Sequence, residues 1–130
     1  MRCRREEGSA SLEIAILGPA LLLLTFAIVQ AGLWFYARSL ALAAAQEGVA
    51  AARAYQASGD AGVTKARSFL DRSAGDSLQA TTVSRAGSTA TTVRIEVRGR
   101  ALSVLPGVPG PPVSQAARGP VERFTVGGSP

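Results

Sequence analysis

The order of apolar and polar residues divides the chain into one long apolar run and a later part with shorter periods. The run from Ile14 to Ala37 contains no charged residue. About 20 consecutive apolar residues suffice for an α-helix to cross the hydrocarbon core of a membrane. A helix also satisfies its own backbone hydrogen bonds there, as a lone span must. The pattern therefore predicts a single transmembrane helix over residues 9–37.

Residues 38–57 are rich in alanine, the best helix former, and are expected to continue this helix outside the membrane. A helix from Ser9 to Ala57 would be on the order of 70 Å long, so about half of it would project. Small residues recur along the projecting half at spacings of four and three, and such a seam lets helices approach closely. Two interpretations stay open: the seam packs on the protein's own sheet, or it packs on other copies or partners. The seam consists of Ala41, Ala45, Gly48, Ala52 and Tyr55, in line with Ala37.

Residues 58–130 predict a small extracytoplasmic α+β domain. A helix break is expected over 58–62, and a short second helix over 63–72 with Val63, Ala66, Phe69 and Leu70 on one face. Clean alternation over 91–98 predicts an antiparallel strand whose buried face carries Val93, Ile95 and Val97. Further strands are predicted at 78–85 and 100–105, with a fourth candidate at 121–126 whose Phe124 and Val126 face inward. The expected fold is α+β: a long helix, extending outward, packed on a small antiparallel sheet of three or four strands.

A proline-rich stretch separates the last two predicted strands. Five prolines fall within residues 106–120, and proline removes backbone donors. This composition predicts an irregular, polyproline-like loop. It is either a binding loop or a plain exposed connector.

The composition argues against several classes of function. The chain has 130 residues, a net charge of +5, one cysteine (Cys3) and no histidine. The basic residues are scattered and not interleaved with aromatics, so no nucleic-acid partner is expected. No intramolecular disulfide can form, and the commonest general base and metal ligand is missing. Neither a metal-ligand spacing nor a phosphate loop is present, so we predict no enzyme activity, cofactor or metal.

The flanking charges predict the orientation of the span. Arg2, Arg4 and Arg5 precede the apolar run, whereas only Arg38 follows it closely. The positive-inside bias therefore places the N-terminus in the cytoplasm and residues 58–130 outside. The run is longer than the roughly 7–15 apolar residues of a secretory signal, so conventional signal-peptide cleavage is not expected.

Within the span, Gly18 and Pro19 predict a helix kink, because proline removes one helix hydrogen bond. Such a kink has two readings that the sequence leaves open. It is either an ordinary feature of a membrane anchor, or a soft spot that lets the helix leave the bilayer and repack.

An acidic residue, Glu13, stands at the edge of the apolar run. A charge costs about 2.5–3.5 kcal/mol at the centre of a membrane helix and less at its edge. Cleavage after Gly8 would make Ser9 a new N-terminus, whose amine is largely cationic at neutral pH. That amine could pair with Glu13 of a neighbouring copy and so favour one axial register. Alternatively, Glu13 extends to water beside Arg4 or Arg5.

Taken together, these features resemble the class III signal sequences of type IV-like prepilins. More narrowly, they resemble the TadE-like family of minor pilins (pseudopilins) of the Tad/Flp pilus system. The segments that carry the resemblance are GSASLEIAILGPALLLL and YARSLALAAAQEGVAAARAY, between Gly8 and Tyr55. Two departures stand out: Ile14 follows the acid where major Flp pilins have a tyrosine, and the outer domain lacks the cysteines of many TadE-like members.

The resemblance implies that residues 1–8 are a cytoplasmic basic leader, cut between Gly8 and Ser9 by a membrane prepilin peptidase. It also implies that Glu13 is required for processing or assembly. The implied partners are membrane lipid, other pilin subunits and the Tad-type assembly platform. The implied location is the cytoplasmic membrane, with incorporation into a surface pilus. The alternative is an unprocessed, single-pass, signal-anchored envelope protein whose outer domain binds another protein.

Overall fold

The computed structural model describes residues 4–54 and 57–123. Two helices come first, α1 (Arg4–Arg53) and α2 (Gly59–Ser73), and a short 3₁₀ turn (Gly75–Ser77) follows. Three strands complete the fold: β1 (Leu78–Ser84), β2 (Thr92–Ala101) and β3 (Pro112–Pro120). They form one antiparallel sheet in the order β1-β2-β3. The predicted α+β class, with a long helix packed on a small antiparallel sheet, is confirmed.

The core lies between the C-terminal half of α1, the helix α2 and one face of the sheet. The predicted alternation in β2 is confirmed, because Val93, Ile95 and Val97 are all buried. On α2, Ala66 and Leu70 are buried, whereas Val63 and Phe69 are partly buried against the same core. Alanine dominates the α1 side of this core, so the helix lies close to its neighbours.

The two helices come into van der Waals contact at a pair of glycines. A Cβ added to Gly48 would lie 2.8 Å from the carbonyl oxygen of Gly62. A Cβ added to Gly62 would lie 2.6 Å from the Cβ of Ala52 and 2.6 Å from the carbonyl oxygen of Gly48. Only glycine leaves room for both backbones at this crossing.

The expected connection between the helices is wrong in two respects. α1 ends at Arg53 and not at Ala57. α2 begins at Gly59, so most of the expected helix break over 58–62 is helical. The reason is a cap: the Ser58 hydroxyl accepts a hydrogen bond from the Ala61 amide at 3.2 Å, which satisfies one free donor of the first turn.

The strand predicted at 100–105 is also wrong. Arg100 and Ala101 continue β2, since Arg100 pairs with Gln79 of β1 and with Pro112 of β3. The described part of the fourth candidate, residues 121–123, lies outside any strand. Phe124 and Val126 lie outside the described residues.

The expected irregular loop over 106–120 is wrong for its second half, because residues 112–120 form β3. The prolines explain why a strand is tolerated. Pro112 and Pro120 occupy the two ends of β3, and the seven residues between them contain no proline. β3 is also an edge strand, where a missing amide donor costs least. The irregular connection is therefore residues 102–111, which we call the β2–β3 loop.

β3 runs alongside α1 in the same direction. The indole nitrogen of Trp34 donates to the carbonyl oxygen of Pro112 at 3.1 Å. At the other end, the amide of Glu122 donates to the carbonyl oxygen of Arg53 at 3.2 Å. The β2–β3 loop therefore lies at the end of the sheet nearest the apolar run. The turn over 85–91, between β1 and β2, lies at the opposite end.

Candidate membrane-spanning and assembly segment

The N-terminal half of α1 is largely uncovered by the described part of the chain, and the β2–β3 loop lies beside it only near Leu23, Phe26 and Ala27. Every residue from Gly8 to Val29 is exposed, including large apolar side chains such as Leu12, Leu23 and Ile28. This helix is long and apolar enough to cross a membrane, and its most apolar stretch is wholly uncovered. An apolar surface of this extent marks a site for lipid or protein. By its length and composition it is a candidate for a single membrane span.

A polar side chain inside the uncovered half is satisfied within the helix. The Thr25 hydroxyl donates to the carbonyl oxygen of Leu21 at 2.9 Å, one turn back along α1. This local bond removes most of the cost of placing a hydroxyl among lipid chains. Thr25 is therefore compatible with a spanning helix.

The residues of the expected processing junction lie on the first turns of α1. Gly8, Ser9 and Glu13 are all helical and exposed. Ser9 and Glu13 are four residues apart, so they share one face about 6 Å apart along the axis. A Cβ added to Gly8 would meet nothing within 4 Å, so the packing of this chain does not require glycine there. Among residues 8–54 and 57–123, Glu13 forms no ion pair.

The Gly18-Pro19 pair lies within α1, which continues as a helix through both residues. Pro19 has no amide hydrogen, so the helix bond to the carbonyl of Ala15 cannot form. The kink itself stays a prediction. A Cβ added to Gly18 or to Gly32 would meet nothing within 4 Å, so both glycines leave space at the helix surface.

The structure buries the described part of the small-residue seam inside this chain. Ala41 and Ala45 are fully buried, Ala52 is 2% exposed, and Gly48 lies at the crossing with α2. Tyr55 lies outside the described residues. The seam is thus occupied by the protein's own α2 and sheet, so these residues offer no free surface to another copy.

A contact that the sequence analysis missed joins α1 to the β2–β3 loop. The Gln30 amide group donates to the carbonyl oxygen of Leu102 at 3.0 Å and accepts from the amide of Val104 at 3.0 Å. Together with the bond from Trp34, this holds the loop against the end of the apolar run. The available signal was an amide and an indole inside an otherwise apolar stretch, two groups that seek partners when desolvated.

The outer face of the sheet carries a buried carboxylate between two guanidinium groups. Glu96 is 7% exposed and bonds with both Arg94, at 2.5 Å, and Arg98. Hydrogen bonds from Arg94 and then Arg98 lower the pKa of Glu96 from its ordinary value. Each of the three charged groups has an ion-pair partner, although the buried Nε of Arg94 has no hydrogen-bond partner within the described residues. The cluster therefore ties β2 together and offers no unpaired acid or base. Within the described residues, no group of side chains could hold a metal ion.

Comparison with known proteins adds one match. The family model of TadE-like proteins matches residues 8–50, which is 43 of the 130 residues. This confirms the resemblance derived from the junction, the acid and the apolar run. Neither the curated proteins nor the solved structures compared with the chain gave a significant match.

Proposed function

We propose that this chain is a Tad pilus-related, single-pass membrane protein of the cell envelope. In this proposal it acts as a minor pilin, or pseudopilin, processed after Gly8 and assembled through its N-terminal helix. The observation that carries the proposal is the uncovered N-terminal half of α1. That half lies inside the segment matching TadE-like proteins, and Glu13 stands at its edge.

The packing of α1 supports different roles for its two halves. Its C-terminal half packs in the core of the outer domain, where the alanine and glycine seam is buried. Its N-terminal half is exposed up to Val29, and the β2–β3 loop lies beside it only near Leu23, Phe26 and Ala27. Lipid covers this half while the chain is in the membrane. Helices of other subunits replace the lipid when the chain is assembled into a fibre.

The charge of Glu13 restricts how the helices of neighbouring subunits can align. A carboxylate among apolar helices is costly unless it is paired. After cleavage, the Ser9 amine of one subunit supplies a cation at the depth where the Glu13 carboxylate of its neighbour lies. The pair forms in one axial register only, so it selects the stagger between adjacent helices.

The proposed partners follow from this path. A prepilin peptidase removes residues 1–8 on the cytoplasmic side, and a Tad-type assembly platform passes the chain to other pilin subunits. The N-terminus lies in the cytoplasm and the α+β domain lies outside. No part of this role requires catalysis by the chain itself.

The role of Glu13 is tested with Glu13→Ala and Glu13→Gln, expressed in the native host at equal levels. Glu47→Ala is the matched control, because Glu47 is also an exposed acid on α1 but lies in its outer half. Both Glu13 variants should be depleted from sheared surface fibres, since the amide of Gln keeps the size but not the charge. Glu47→Ala should be recovered at the wild-type level. Normal fibre incorporation of Glu13→Ala would contradict the pairing.

A further inference from the structure

The β2–β3 loop lies beside the apolar run and not beside the outer half of α1. Val104 and Leu105 form one wall of a shallow groove, and Leu23, Phe26, Ala27 and Gln30 form the other. The groove has a volume of about 180 Å³, and five of its six lining residues are apolar. The loop therefore reaches back along the helix segment that the membrane covers.

The tip of this loop is apolar and uncharged. Leu105 is 48% exposed and Val108 is 51% exposed, although neither contributes to the core. No charged residue occurs from Ala101 to Ala117. In an aqueous connector such side chains would have no partner, but Leu105 lines the groove with Leu23 and Phe26, so its exposed face continues the uncovered apolar surface of α1.

The backbone of the loop has fewer amide donors to satisfy than an ordinary loop of its length. Pro106, Pro109 and Pro111 have no amide hydrogen to satisfy. Of the seven other amides in residues 102–111, three have partners: Val104 donates to Gln30, Leu105 to Ser103, and Val108 to Leu105. Lipid-exposed irregular backbone does not enter the hydrocarbon core, so the loop fits the headgroup boundary, where water and headgroups reach its remaining polar groups.

Side chains typical of the headgroup region lie on the side of the loop that faces the outer domain. The guanidinium of Arg38 lies 5.4 Å from the centre of the Trp34 ring, and Arg100 donates to the carbonyl oxygen of Gly110 at 3.1 Å. Tryptophan and arginine are typical of the membrane–water boundary. At 1.5 Å per residue, Gln30 lies about 6 Å deeper than Trp34, and Phe26 about 12 Å deeper.

We propose that the β2–β3 loop is a second membrane anchor, with Leu105 and Val108 inserted among phospholipid chains beside α1. The bond from the Val104 amide to Gln30 places this end of the loop about 6 Å below the level of Trp34, within the roughly 5–10 Å to which interfacial elements enter the headgroup and acyl boundary. Two attachments, one helix and one loop, fix the tilt of the outer domain against the bilayer. The proposal rests on α1 spanning the membrane but not on cleavage after Gly8.

The test uses the full chain in vesicles of phosphatidylethanolamine and phosphatidylglycerol. Cys3 is first replaced by serine, and Val108→Cys is labelled with an environment-sensitive nitrobenzoxadiazole dye. Ala90→Cys is the matched control, since Ala90 is an exposed residue in the turn at the opposite end of the sheet. Leu105→Cys is a second loop position in case the first variant does not fold. Trp34, the sole tryptophan, reports independently on the depth of α1.

Nitroxide lipids labelled near the headgroup should quench Trp34 and the dye at Val108, and the dye emission should be blue-shifted. Quenching at Ala90 should be several-fold weaker. Quenching of Trp34 without quenching at Val108 would overturn the loop anchor while leaving the spanning helix intact. A blue-shifted dye that lipid nitroxides do not quench would also overturn it, because protein, such as a second copy, would then cover the loop. Loss of quenching at both positions would refute the membrane placement itself.

Discussion

The contact between Gln30 and the β2–β3 loop makes a quantitative prediction. Replacing Gln30 with leucine keeps a side chain of similar size and makes the span more apolar. It also removes two hydrogen bonds, one to the Leu102 carbonyl and one from the Val104 amide, each 3.0 Å long. Both loop groups are partly buried, and no neighbouring side chain in the groove offers a replacement.

The expected cost follows from the number of bonds lost. At about 1 kcal/mol for each hydrogen bond, Gln30→Leu should weaken loop docking by about 2 kcal/mol. Since every 1.4 kcal/mol is tenfold in an equilibrium, the open state of the loop should become roughly thirty-fold more populated. Amide exchange at Val104, which also loses its own acceptor, should accelerate by at least this factor when the loop recloses faster than the exposed amide exchanges.

Thr25→Val is the matched control, because it also replaces a polar group of the exposed span with an apolar one. The Thr25 hydroxyl bonds only within α1, and the Leu21 carbonyl keeps its ordinary helix bond after the substitution. Hydrogen exchange on the full chain in micelles, read at the amides of the loop, compares the two variants. Equal exchange at Val104 in Gln30→Leu, Thr25→Val and the unaltered chain would refute the reasoning.

Three further substitutions test the outer domain by its free energy of unfolding. Gly62→Ala should lower the free energy of unfolding by about 1–2 kcal/mol, because overpacking at the helix crossing exceeds the gain in helix propensity. Gly59→Ala is the control and should not lower it, because its new Cβ meets a flexible arginine side chain that can move away. Glu96 has a lowered pKa, so it stabilises the fold above the ordinary glutamate pKa of about 4.3, and that stability is lost as the pH falls through the lowered value. Glu96→Gln should therefore flatten the acid limb of unfolding midpoint against pH, and an unchanged limb would contradict the pairing. Ala80 has a φ of 50°, so Ala80→Gly should be neutral or stabilising by about 0.5 kcal/mol, whereas Ala116→Gly should cost about 1 kcal/mol in an ordinary strand.

The sequence determined the elements whose pattern is local and strong. The alternation in β2 follows a single period, and its apolar residues face the core as their spacing predicts. The spacing of the small residues on α1 left open whether this chain or another copy covers them, and the described ones are buried in this chain's own core. The proline content of residues 106–120 predicts an irregular loop and therefore hides the strand β3. Their positions at the two ends of an edge strand, which permit pairing, depend on the neighbouring strand and cannot be read from composition.

The residues of the candidate site also differ in how far the sequence reveals them. Gly8 and Glu13 stand out in the sequence, because a charge beside an apolar run is rare and its spacing from the junction is short. The contact of Gln30 with the loop joins residues that are 72 and 74 positions apart. This contact depends on the axial position of the sheet along α1, which is set by the tertiary packing of β3.

The most direct test of the proposed function is the intact mass of the protein isolated from membranes and fibres of the native host. The account predicts a chain that begins at Ser9 and lacks the mass of residues 1–8. Gly8→Leu should abolish this loss without disturbing the fold, because a side chain at position 8 meets nothing within 4 Å. A mature protein that still begins at Met1 would contradict the account and leave an unprocessed single-pass anchor.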